Sequence, residues 1–148
     1  MTNNRGPRLG GRWGVPLAAG FAILQVCCGS DTAGPNETFS QTQTSTVNNV
    51  AVLDGAVFSF TATRNGTADV EVNWNNGGND IDIFATGGSC PNLASVINGD
   101  CQIIVSEESS TLKPERFSFG VSDGGSYKVW ALNFGPGVES ITFRITVR

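Results

Sequence analysis

Asp80 and Asp82 alternate with Ile81 and Ile83, and in an extended chain that two-residue spacing projects both carboxylates from one face. Asp69 and Glu71 repeat the spacing just upstream, and between the two pairs lie Trp74 and the run Asn75, Asn76, Gly77, Gly78, Asn79, which reads as a tight turn. A hairpin over 68–84 then brings Asp69 and Glu71 near Asp80 and Asp82. Carboxylates so grouped raise one another's pKa unless a cation intervenes. Ca²⁺ takes this kind of oxygen-rich set, with Asn75, Asn76 or Asn79 adding carbonyl ligands. The same residues also read as a solvated sheet face, with Asp80 hydrogen-bonded in the turn, because no Asp-x-Asp-x-Asp-Gly loop is present. Calcium at Glu71, Asp80 and Asp82 is the metal expectation.

Cys90 and Cys101 are most simply a disulfide in an exported chain. It closes a loop of about twelve residues and is worth about 3 kcal/mol by chain-entropy reasoning. Trp130 and Lys128 share the parity opposite to Tyr127, Val129 and Ala131. If the latter three face the core, Lys128, Trp130 and Leu132 face outward, and an outward Trp is a platform for a sugar or a peptide. The competing reading has Trp130 covered by a loop such as 87–99 or by the other sheet, with Lys128 snorkelling beside it.

Catalysis is not expected. The chain has no histidine, which removes the commonest general base and the commonest zinc ligand. Glu107, Glu108 and Glu115 are carboxylates of the type glycosidases pair, but nothing in their spacing selects two of them.

The elements that must position these residues are short strands. Apolar positions alternate with polar ones over 47–53, 56–63, 68–74, 79–84, 102–106, 116–121, 127–134 and 138–147, with Gly, Asn and Asp clusters between most of them. Phe58 with Phe60, Val70 with Val72 and Trp74, and Ile141 with Phe143, Ile145 and Val147 fall on the buried sides. With 39% hydrophobic residues, 19 glycines and no convincing helix, the class is all-β: an antiparallel two-sheet β-sandwich, jelly-roll-like, of seven to eight strands.

Ahead of the domain, Arg5, Arg8 and Arg12 precede an apolar run over 13–26, which has the form of a secretion signal and is too short to span a bilayer. The run ends in Leu24, Gln25, Val26, Cys27 and Cys28, similar to the lipobox of bacterial lipoproteins, with either Cys27 or Cys28 carrying the lipid. Val26 stands where Gly, Ala or Ser is usual, which leaves ordinary signal cleavage open. The organisation read from this is a signal over 1–28, a flexible Ser/Thr/Asn-rich tether over 29–46 and the sandwich over 47–148. From Cys27 onward, Arg64, Lys113, Arg116, Lys128, Arg144 and Arg148 oppose all 13 acidic residues, a net of −7. That balance disfavours nucleic acid, and leaves a lipid anchor as the only route to a membrane.

Three segments resemble the bacterial pre-peptidase C-terminal domain: Asp54 to Phe60, Trp74 with Asp80 to Phe84, and Gly125 to Val129 leading through Asn133, Phe134 and Gly135 to the last strand. The resemblance implies a β-sandwich with a binding or folding-assistance role rather than a catalyst; similar domains in some collagenases bind calcium and substrate. The functional expectation is a non-catalytic module of the cell envelope, binding an extracellular protein or glycan. The alternative is a structural envelope protein that associates with itself.

Overall fold

A computed structural model describes residues 40–148; the expected signal, Cys27 and Cys28, and the tether as far as residue 39 lie outside the described residues. The strands are β1 (Gln41–Val50), β2 (Gly55–Thr61), β3 (Gly66–Trp74), β4 (Ile81–Gly87), β5 (Ile103–Glu107), β6 (Glu115–Val121), β7 (Ser126–Asn133) and β8 (Glu139–Val147), with one short helix, α1 (Leu93–Ile97), between β4 and β5. They form two four-stranded sheets, ordered β1-β8-β3-β6 and β2-β7-β4-β5.

All the pairings are antiparallel, and four of them are nested: β1 with β8, β2 with β7, β3 with β6 and β4 with β5. The chain behaves as one long hairpin rolled up so that most successive strands fall in opposite sheets, which is the jelly roll arrangement. The expected fold class is what the structure shows. Alternation is the physical cause: Val70, Val72 and Trp74 from one sheet and Ile81, Ile83, Val129 and Ala131 from the other are buried against Ile141, Phe143 and Ile145 in a single core. Phe58 stacks on Phe143 at 6.1 Å between ring centroids, and Phe60 lies 5.6 Å from Tyr127.

Two boundaries differ from the sequence reading. The first strand starts at Gln41, within the stretch read as tether, because Thr42, Thr44 and Thr46 pair in register with Thr146, Arg144 and Thr142. Thr42 and Thr146, and Thr46 and Thr142, also join hydroxyl to hydroxyl at 2.9 Å. A Thr-rich strand with only its inner parity half-buried gives a weak apolar signal, and its partner strand supplies what its own pattern lacks. The hairpin over 68–84 does not form either. β3 pairs with β6 and β8, β4 with β5 and β7, and residues 75–80 carry the chain from one sheet to the other. A hairpin and a crossover bury the same side chains, so alternation alone does not choose between them.

Candidate functional site

The crossover separates the expected calcium ligands. Glu71 lies on the outer face of the β1-β8-β3-β6 sheet, where Arg116 Nη2 donates to its Oε2 at 2.7 Å, while Asp80 and Asp82 sit at the start of β4 in the other sheet. The set Glu71, Asp80 and Asp82 is therefore not a site, and Asp69 is likewise occupied, by Arg148 at 2.7 Å.

Trp130 is outward-facing by parity but not exposed. The segment between β4 and β5 folds over it, and Trp130 is 4% exposed in a small cluster with Cys90 and Val96, flanked by Phe84, Leu93 and Cys101. Its indole N–H donates to Thr86 Oγ1 at 2.9 Å. Lys128 donates to the Cys90 carbonyl and lies 5.6 Å from the Trp130 ring centroid. The expected Trp130 and Lys128 platform is thus the floor of a structural lid rather than an open surface. Cys90 and Cys101 are bonded as expected. Gly55 makes room for the lid, since a Cβ there would stand 2.6 Å from Leu93 Cδ2.

What the strand order gathers instead lies at one end of the sandwich, where the connections β1–β2, β3–β4, β5–β6 and β7–β8 all turn. A buried polar brace holds three of them. Glu139, 3% exposed, accepts from the backbone N–H groups of Asn75 and Asn76 at 3.0 and 2.9 Å and from Asn79 Nδ2 at 2.6 Å. Asn79 Nδ2 also donates to Gly137 O, and Asn133 Nδ2 to Val50 O and Gly137 O. The Leu53 amide donates to Asn133 O at 2.7 Å and that of Phe134 to Asp80 O at 2.8 Å. Gly135 is required here, because any Cβ would collide with Asn79. These bonds satisfy buried backbone groups and leave the loops little freedom.

On that braced scaffold apolar side chains point into water. Leu53 is 71% exposed, Val138 61%, Leu112 53%, Phe134 45% and Val52 41%. Leu53 also holds a left-handed backbone at φ 61°, a conformation that disfavours a side chain of its size. Around them stand Asp54, Asp80, Asp82, Glu107, Glu108, Glu115 and Glu139. The basic residues there are Lys113, which donates to Asn75 O and lies over Trp74, and Arg116, paired to Glu71.

Two of these carboxyls are perturbed. Burial, then the charges of Asp80 and Glu108, push Asp82 up to about 6. Burial, then Asp82, Glu107 and Asp80, push Glu115 up to about 8, against a smaller lowering by the Ser109 backbone amide. Glu115 is fully buried, and neither of its oxygens, nor Asp80 Oδ1, has a partner in hydrogen-bond geometry. Sequence spacing did not single out this grouping, because Glu115 occupies an inward parity that it shares with Phe117, Phe119 and Val121. A charge at a core parity was the available signal.

No family model and no curated protein matches the chain. Among solved structures it is similar to the Yersinia pseudotuberculosis-derived mitogen, at 15% identity and a TM-score of 0.48 over 74% of this chain and 86% of that one. It is also similar to a periplasmic inhibitor of g-type lysozyme from Aeromonas hydrophila, at 10% identity and a TM-score of 0.46 over 72% and 85%. At these values neither likeness bears on function.

Proposed function

We propose that the chain is an exported, non-catalytic recognition module whose braced loop end docks a basic extracellular protein. The observation that carries this is the pairing of five exposed apolar side chains with an acidic surround at a loop end where buried hydrogen bonds fix three of the four connections. Isolated apolar residues on a surface are ordinary, but a group of them on one end, rimmed by one sign of charge, has the make-up of an interface. A rigid backbone reduces the ordering entropy that binding must overcome, and Leu53 in a strained conformation displays its side chain rather than hiding it. Five accessible carboxylates, Asp54, Asp80, Asp82, Glu107 and Glu108, against two engaged basic residues select a cationic rim on the partner. The Cys90–Cys101 disulfide supports an oxidising compartment.

The test is photo-crosslinking in the exporting cell from a reactive residue at position 53 or 134, with Val57 and Ile97, exposed elsewhere on the domain, as controls. One basic protein is expected from both loop positions and from neither control. Leu53→Asp and Phe134→Asp should each weaken the purified pair by at least about tenfold, or about 1.4 kcal/mol, with an unchanged circular dichroism spectrum. Cross-links to a second copy of the chain, or a purified pair indifferent to both substitutions, would replace this reading with self-assembly or remove it.

A further inference from the structure

The outer face of the β1-β8-β3-β6 sheet is chemically unlike the loop end. Cross-strand register lays Thr44, Arg144, Glu71 and Arg116 in one row, with Thr42, Thr146 and Asp69 in the row on one side and Thr46, Thr142 and Asn73 on the other. Three of the six basic residues from Cys27 onward, Arg116, Arg144 and Arg148, gather on this face although the chain over that range has a net charge of −7. Glu71 and Asp69 neutralise two of them. Arg144 is exposed and, among the described residues, has neither a hydrogen bond nor an ion pair. Its in-register neighbour Glu71 is turned to Arg116, whose Nε and Nη2 both donate to Oε2 at 3.0 and 2.7 Å. Two grooves, of about 430 and 210 Å³, share Arg144 and Glu71 as a common wall; the first reaches Thr146 and Arg148, the second Asn73, Asn75 and Thr142.

The make-up of the face decides what fits it. None of the exposed large apolar side chains lies on these rows, so it lacks both the apolar centre of a protein interface and anything to insert between lipids. A polyphosphate would meet one uncompensated cation on an acidic domain. What the face does offer is threonine hydroxyls, and ion-paired carboxylates and guanidiniums that present acceptors and donors side by side, the pattern that sugar hydroxyls satisfy. To these it adds one guanidinium free to hold a carboxylate by two parallel hydrogen bonds. We infer that this face is a second binding surface, taking an acidic polysaccharide of the uronic acid type. One carboxylate of the polymer is held by Arg144, and the sugars on either side lie in the two grooves against Glu71, Arg116, Asn73 and Thr142. The central position of β8, between β1 and β3, fixes the row on which Arg144 stands. The surface is separate from the acid-rimmed loop end and does not depend on a protein docking there.

The experiment is isothermal titration of the full chain, at physiological salt, with oligogalacturonate, alginate and hyaluronate fragments, each beside its carboxyl-reduced neutral counterpart. At least one uronate is expected to bind, and its neutral counterpart to bind at least about tenfold more weakly. Arg144→Gln should cost a similar factor while leaving the urea midpoint unchanged, since the side chain it replaces is exposed and unbonded. Leu53→Asp, at the loop end, should leave uronate binding intact, so that a failure of protein docking and a failure of this surface are told apart. Binding by none of the three uronates, or binding indifferent to Arg144→Gln, would overturn the site. Dextran sulfate bound as tightly as the best uronate would overturn it too, by reducing the face to a general attraction for polyanions.

Discussion

Glu115 shows how one side chain can set the pH response of a small domain. Its carboxyl is held near 8 in the folded chain against an ordinary 4.5, so the folded state keeps a proton that the unfolded state has released. Stability contributed in this way is present below the unfolded value and is lost as pH rises through the folded one. Asp82, raised to about 6 from 3.8, acts in the same direction over a lower window. Urea midpoints should therefore fall as pH rises from about 4 to 9, opposite to a domain stabilised by ion-paired carboxylates. Glu115→Gln should flatten the part of that fall between about 5 and 8. A midpoint independent of pH in the parent chain would show that the carboxyl ionises without cost.

At the scale of elements, the lid from β4 to β5 and the opening strand are the parts whose energetics can be isolated. The lid has one five-residue helix, capped by Asn92 Oδ1 accepting from the Ser95 amide at 2.9 Å, which is too short to be stable alone. It stays folded through the disulfide, the Trp130 contact and the Lys128 bond to the Cys90 carbonyl. Trp130→Ala should cost about 3–5 kcal/mol and reduction of the disulfide about 3 kcal/mol, and the two losses should be less than additive because they act on one cluster. Urea unfolding of the four states of that cycle checks it; full additivity would mean that the disulfide does not hold the lid on Trp130. For β1, a chain starting at Ser40 should fold, whereas one starting at Val47 should not, since it strips six residues of ladder from β8 and exposes that edge. These cases mark what the sequence discloses. Parity identified the buried faces and the outward direction of Trp130, because side-chain alternation is local. It offered a loop over Trp130 only as one of two readings, of which the structure bears out the covered one, and it did not disclose the crossover that parts Glu71 from Asp80 or the meeting of Glu115 with β4, because these depend on which strands become neighbours across the roll.

For the whole molecule, the rolled hairpin separates a covered face from a binding end. The disulfide-closed segment covers the large outward side chains on the outer face of the β2-β7-β4-β5 sheet, and one end of the sandwich carries the acid-rimmed apolar loops. Because successive connections alternate between ends, residues distant in sequence converge there: Leu53 hydrogen-bonds to Asn133, Asn75 to Glu139 and Asn75 to Lys113. A net charge of −7 from Cys27 onward makes the whole domain attract cations, and the loop end concentrates that field where the apolar contacts are made. Association with a basic partner should then separate into two terms. The on-rate should fall steeply with salt between about 20 and 200 mM as the Debye length shortens from about 20 Å to below 10 Å, and Glu108→Lys, an exposed charge at this end, should lower it further without changing the dissociation rate. Phe134→Asp should act the other way, raising the dissociation rate and leaving the salt slope intact. Stopped-flow or surface-plasmon kinetics on the cross-linked partner distinguish these terms. If salt altered the off-rate and Phe134 the on-rate, the division between an electrostatic rim and an apolar centre would be wrong, and the acidic residues would have to be in direct, desolvated contact with the partner.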